Sequence, residues 1–203
     1  MRLIAPLLLA LAAAPALAQQ LPTEAPGKPD PARAVSGSYK LDPGHSQVVF
    51  TVTHFGFSDY IGQFREPTGT LVLDAKAPAK SKVDVTFQIA KVGTTVAALD
   101  AHLQKPEFFD AEKFPTATFV STTITTHGNQ ALISGNLTIK GITKPVVLHA
   151  RLVGAGINPF TKKPAVGFAA TTTIRRSDFG VAYGIPLVTD KVDLTINAAF
   201  DAE

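Results

Sequence analysis

The 203-residue chain contains no cysteine, no tryptophan and only three tyrosines. Without cysteine there can be no disulfides, thiolate nucleophiles, Fe–S clusters or cysteine-type zinc sites. The fold must be held by burial alone. A chain of ~170 ordered residues can supply that, because it removes about 70% of its unfolded surface from water. The shortage of tryptophan and tyrosine argues against a base-stacking platform. The formal net charge of +3 is too small and too evenly spread for a nucleic-acid partner. Beyond the first residues, nothing approaches the ~18 consecutive apolar residues of a membrane-spanning helix.

Those first residues are apolar. Met1-Arg2 forms a short positive region, Leu3 to Leu17 is almost wholly hydrophobic, and Ala16-Leu17-Ala18 fits a small-x-small cleavage site. Residues 1–18 therefore read as a secretory signal peptide, whose removal leaves 203 − 18 = 185 residues and, with Arg2 gone, a charge of 3 − 1 = +2. A lipoprotein anchor would need a cysteine at the processing site. Residues 19–37, including "QQLPTEAPGKPDPARAVS", are rich in proline and alanine and read as a flexible leader. Residues 38–203 form the folded domain.

That domain reads as β structure. In "KVDVTFQIAK" (Lys82–Lys91), Val83, Val85, Phe87 and Ile89 alternate with polar residues. "KVDLTINAAF" puts Val192, Leu194, Ile196, Ala198 and Phe200 on one face, and "HSQVVFTVTH" does the same with Val48, Phe50 and Val52. Further strands fall at about 61–74, 116–126, 131–140, 144–154 and 165–176, separated by turn signals at His127-Gly128-Asn129, Gly141 and Gly154-Ala155-Gly156. Thr95 to Lys105 breaks the period: Val96, Leu99 and Leu103 lie at helical spacing, and Pro106 stops the helix. About eight short-connected strands and one short helix predict an all-β, eight-stranded antiparallel up-and-down barrel with the helix capping one end. Closure removes the exposed edges, and eight strands leave room for side chains or one small ligand. Ala169, Thr171 and Thr173 are expected to face inward and leave space.

Five stretches occur in the order found in the YceI-like family: "YKLDPGHSQVVFTVTH", "GQFREPTGTL", "DAHLQKPEFFDAEKFPTATFVST", "ISGNLTIKGITKPVVL" and "RSDFG". The chain resembles this family from about Tyr39 onward. The resemblance implies a periplasmic, lipocalin-like barrel with an apolar tunnel for a polyisoprenoid, quinone-like or fatty-acyl lipid. It implies no cofactor, and lipid as the partner. Transient contact with a membrane surface would suit such a role. Uncovered apolar strand faces leave room for a homodimer, which patterning does not decide.

Tunnel and rim residues follow from the barrel and the resemblance together: His45, Phe50, Val52, Phe87, Leu99, His102, Phe108, Phe109, Phe119 and Arg176. Catalytic readings are weak. The five histidines share no metal-ligand spacing. His45-Ser46 lacks a G-x-S-x-G elbow, and neighbours on a strand face apart. Asp100 and His102 diverge on a helix, so each must find its own partner. Of Arg175 and Arg176, one must face inward or lie at the rim. Its partner is either Asp178 or an anionic lipid group. The leading expectation is a non-enzymatic lipid carrier. The alternatives are quinone handling beside a membrane redox system, and an enzyme on isoprenoid or acyl lipids that depends on His45 or His102.

Overall fold

The computed structural model describes residues 22–203; residues 1–18, expected to be a signal peptide, and residues 19–21 of the expected leader lie outside the described residues. Eleven strands form one antiparallel sheet: β1 (Gly37–Leu41), β2 (Gln47–His54), β3 (Ser58–Phe64), β4 (Thr68–Leu73), β5 (Lys82–Gln88), β6 (Val92–Gly93), β7 (Thr116–His127), β8 (Gln130–Ile139), β9 (Ile142–Ile157), β10 (Pro164–Arg175) and β11 (Lys191–Ala202). The sheet closes where β1 pairs with β11, Tyr39 opposite Ala202.

The barrel nevertheless has eight staves, because three of them are broken. β1 and β2 lie along the same edge of β11, at Leu41 opposite Phe200 and Asn197 opposite Gln47. Between them Asp42 Oδ1 accepts the Gly44 N–H at 2.9 Å, making a tight local turn. The Ser46 hydroxyl accepts the Ala199 N–H at 3.0 Å, replacing a missing ladder partner. β3 and β4 form the next stave, interrupted at Arg65-Glu66-Pro67, where Glu66 has a φ of 53°. β5 and β6 form the third, broken by a single 3-10 turn over Ile89–Lys91. Each stave pairs with its sequence neighbours, so the up-and-down topology expected from the short connections holds.

Register decides which side chains point in. On β2, β5 and β11 the inward rows are the ones that alternation marks: Val48, Phe50 and Val52; Val83, Val85 and Phe87; Val192 through Phe200 on even positions. On β10 the inward row is Phe168, Ala170, Thr172 and Ile174, and the expected row of Ala169, Thr171 and Thr173 faces away. The bulky Phe168 and Ile174 take the interior, and the small threonines tolerate water.

One end of the barrel is closed by Tyr39, Leu41, Leu71, Leu152, Ala155, Val166 and Phe200 packed together. Tyr39 is only 1% exposed, and its hydroxyl donates to the Val35 carbonyl at 2.6 Å. The segment read as a flexible leader lies against this end. Lys28 and Ala155 exchange two backbone hydrogen bonds, at 3.2 and 2.9 Å, and a 3-10 turn at Pro31–Arg33 is capped by Asp30. Composition gave no sign of this docking, because it uses main-chain groups and a glycine-lined face of β9.

At the opposite end, two long connections cover the opening: residues 94–115, which carry α1 (Ala97–Leu103), and residues 176–190. No helix among the described residues is long and apolar enough to cross a membrane.

Candidate functional site

Inside the barrel is a cavity of about 650 Å³. Its lining runs from Pro31, Ala34 and Pro78 at the leader end to His54, His102 and Tyr183 at the helical end. β11 alone is twelve residues long. At ~3.3 Å per residue and a tilt of about 40°, it spans roughly 30 Å of barrel axis. The walls are overwhelmingly aliphatic and aromatic. Small side chains at Ala150, Ala170 and Ala198 leave the middle unfilled.

Nine of the ten residues assigned from sequence line this space: Phe50, Val52, Phe87, Leu99, His102, Phe108, Phe109, Phe119 and Arg176. His45 does not. It sits exposed in the turn before β2, with Nδ1 2.6 Å from Asp42 Oδ2. That carboxylate holds the His45 pKa above its ordinary value, and the same hydrogen bond holds Asp42 below its own. Its neighbour Ser46, in the same turn, lines the cavity instead.

α1 is shorter than its spacing suggested, but its apolar stripe does face the cavity through Leu99 and Leu103. Val96 precedes the helix and is exposed. Asp100 accepts from the Thr94 N–H at 2.6 Å and from its hydroxyl at 2.7 Å. His102 Nε2 lies 2.9 Å from Glu107 Oε1. Both side chains therefore tie the helix to its own flanking segments. Phe109 packs edge-on against Phe64 at 5.7 Å, and Phe108 meets His102 at 4.9 Å and Tyr183 at 5.2 Å. The plug is thus joined by aromatic packing both to the wall and to the 176–190 connection.

Arg176 is the buried cation, while Arg175 turns outward to Asp190. Asp178, the protein partner expected from sequence, does not hold Arg176. Its guanidinium donates to four backbone carbonyls: Thr189 and Val188 at 2.8 Å, Val181 at 2.9 Å and Tyr183 at 2.8 Å. Asp178 is exposed and makes no bond to it. Burial lowers the Arg176 pKa from its ordinary value and the Asp190 charge opposes this, but the group remains cationic. One planar fork with several donors is the side chain suited to gathering carbonyls from an irregular loop.

Sequence reasoning missed His54, Tyr60, Tyr183 and Val188 as lining residues. Tyr60 carries a buried hydroxyl that finds no hydrogen-bond partner among the described residues. Tyr183 and Val188 belong to a loop without periodicity, so only the anchoring arginine could have drawn attention to them.

Residues 39–200 match the YceI-like domain family. The chain is 40% identical over 166 residues to the protein YceI of Salmonella arizonae, covering 81% of this chain and 86% of that one. Among solved structures, BcnA of Burkholderia cenocepacia superposes with a TM-score of 0.71 at 24% identity, covering 78% of this chain and 98% of BcnA. A polyisoprenoid-binding domain from Saccharophagus degradans superposes at 0.62 with 13% identity, over 81% and 98% of the two chains. With a closed eight-stave barrel, the matching domain and a relative at 40% identity, this chain belongs to the YceI-like family.

Proposed function

We propose that the protein binds a long-chain isoprenoid or similar amphiphilic lipid in the barrel and carries it through the periplasm. The observation that carries this reading is the apolar cavity running the length of a closed barrel. Its 650 Å³ falls within the range of small-molecule sites, about 300–1,000 Å³. The polyisoprenoid-binding relative in fold supports the same class of guest. Removing a lipid chain from water gains ~0.8 kcal/mol per methylene. A bilayer offers the chain an equally apolar home, so net transfer between membrane and barrel is near balance. That balance suits a shuttle, which must release what it binds.

Native mass spectrometry of protein purified from the periplasm, followed by solvent extraction, tests the proposal. A lipid adduct is expected, and an emptied barrel should take up added polyprenol. Absence of adducts across preparations, together with no uptake, would overturn it.

A second reading is favoured by the Tyr60 hydroxyl on the cavity wall, which has no partner among the described residues. Buried polar groups ordinarily find partners, and a quinone-like ligand would bring carbonyl oxygens that a plain hydrocarbon lacks. Extraction of a redox-active ring would select this reading. An enzymatic role for His45 has no geometric support, because that side chain lies outside the cavity.

A further inference from the structure

The connections 54–58 ("HFGFS") and 179–189 ("FGVAYGIPLVT") contain no Asp, Glu, Lys or Arg. They lie side by side. The Phe55 N–H donates to the Leu187 carbonyl at 2.6 Å, His54 bridges Val188, and Thr189 donates to the Thr53 carbonyl at 3.0 Å. Together they turn a set of large apolar side chains outward: Phe57 is 92% exposed, Leu187 57% and Tyr183 54%, with Phe55 and Ile185 beside them. This clustering departs from the scattered single apolar residues normal on a protein surface. His54 and Tyr183 also line the cavity, so the patch is the lip of the tunnel itself. Beneath it, Arg176 holds residues 181–189 in place through their carbonyls, so the lip is preformed.

We propose that this lip docks on the uncharged interfacial region of a lipid bilayer. Charge complementarity favours that occupant: an uncharged, aromatic and aliphatic surface matches the zone below the head groups, where such side chains anchor interfacial proteins. Continuity with the tunnel favours it too. A second copy of the chain seated on the lip would seal the mouth, whereas a bilayer would feed it. Docking is driven by burial, is insensitive to salt, and needs no anionic lipid. The inference rests on the lipid-carrier reading and supplies the surface from which the ligand is collected or delivered.

The chain has no tryptophan, so Phe57→Trp introduces a single fluorescent reporter at the lip. With phosphatidylcholine vesicles its emission should shift to the blue and be quenched by spin-labelled acyl chains. In co-flotation, Phe57→Ser with Leu187→Ser should lower vesicle partitioning by about tenfold or more, the scale expected when large apolar anchors are removed. The same variant should still take up polyprenol from detergent micelles and melt at the wild-type temperature. If the wild type ignores vesicles yet loads polyprenol from micelles, docking is overturned and the carrier reading stands. A protein that adsorbs on vesicles but loads nothing keeps the docking surface and sinks the carrier reading. A concentration-dependent dimer abolished by the double serine variant would assign the lip to a second copy and overturn the proposal.

Discussion

Arg176 Nη1 lies 2.8 Å from the carbonyl oxygen of Tyr183, whose ring in turn packs against Phe108 at 5.2 Å and His102 at 5.4 Å. A buried charge on one connection therefore fixes the position of an aromatic cluster shared with the other. The two halves of the cap are linked by this ring packing and by Lys140, whose Nζ donates to the Pro106 carbonyl at 2.7 Å and the Gly180 carbonyl at 3.3 Å.

Replacement of Arg176 by methionine should then cost more than a typical core change. Four carbonyls are deprived of their donor at once, and each buried unsatisfied acceptor costs ~1–3 kcal/mol, offset where the loop reopens to water. A net destabilisation of roughly 3–5 kcal/mol is expected, read as a lower urea midpoint. Arg176→Lys should recover less than half of it, because an ammonium cannot span the same carbonyls. A methionine variant as stable as the wild type would mean that the loop holds itself.

Ala170 lies on the inward row of β10, opposite Ala150 and Ile196. A phenylalanine there should occupy the middle of the tunnel. Insertion into a packed core costs about 1–3 kcal/mol, but this side chain has a void to enter. Ala170→Phe should therefore retain little or no lipid in native mass spectra while its melting temperature falls by only a few degrees. A large drop in stability with normal lipid content would place the open space elsewhere.

The same residue shows what could be read in advance. On β2, β5 and β11, Val49 and Ala199 apart, apolar residues alternate with charged or polar ones, and the inward row follows directly. β10 reads "GFAATTTIR", small or mildly polar on both faces, so alternation is silent there and the choice falls to Phe168 and Ile174. The broken staves were illegible for a different reason. Ser46 replaces a backbone partner with its side chain, and Glu66 takes a left-handed conformation that its residue type does not advertise. The buried arginine was visible as a doublet, but its carbonyl partners come from a loop with no pattern of its own.

Asp42 and His45 form a surface pair whose signs can be worked out. His45 is raised above its ordinary 6.5 by the Asp42 hydrogen bond, so its contribution is complete below 6.5 and fades as pH rises through the folded value. Asp42 is lowered below its ordinary 3.8 by the His45 hydrogen bond, so its contribution is present above 3.8 and fades as pH falls through the lowered value. The turn is thus best held between these limits. In an NMR titration Asp42→Asn should bring the His45 midpoint back down towards 6.5. An unchanged midpoint would mean that the two side chains do not hold this turn together.

Phe108 and Phe109 are only half-buried and face the cavity, so their packing depends in part on what fills it. Changing both to alanine should raise the rate of lipid release more, in relative terms, than it lowers melting temperature. About tenfold faster release is expected, because the bound chain would have less apolar surface to pack against, with a shift in melting of a few degrees. The reverse ranking would make them ordinary core, with Phe109 serving Phe64 and Phe108 serving His102.

The docked leader gives a test on the other end of the barrel. Gly156 has no side chain because none fits: a Cβ built there would run into the Pro26 carbonyl, a main-chain group that cannot rotate aside as a side chain would. Gly156→Ala must therefore lift the leader or bend β9, and the leader, held by two backbone hydrogen bonds at Lys28, is the weaker of the two. At a net ~0.5–1.5 kcal/mol per bond, its detached population should rise roughly tenfold. Trypsin should then cut after Arg33 about tenfold faster in the variant, while the barrel, assayed by its urea midpoint, stays unchanged. Equal cleavage rates in variant and wild type would mean that the leader's hold on β9 is not set by this close approach.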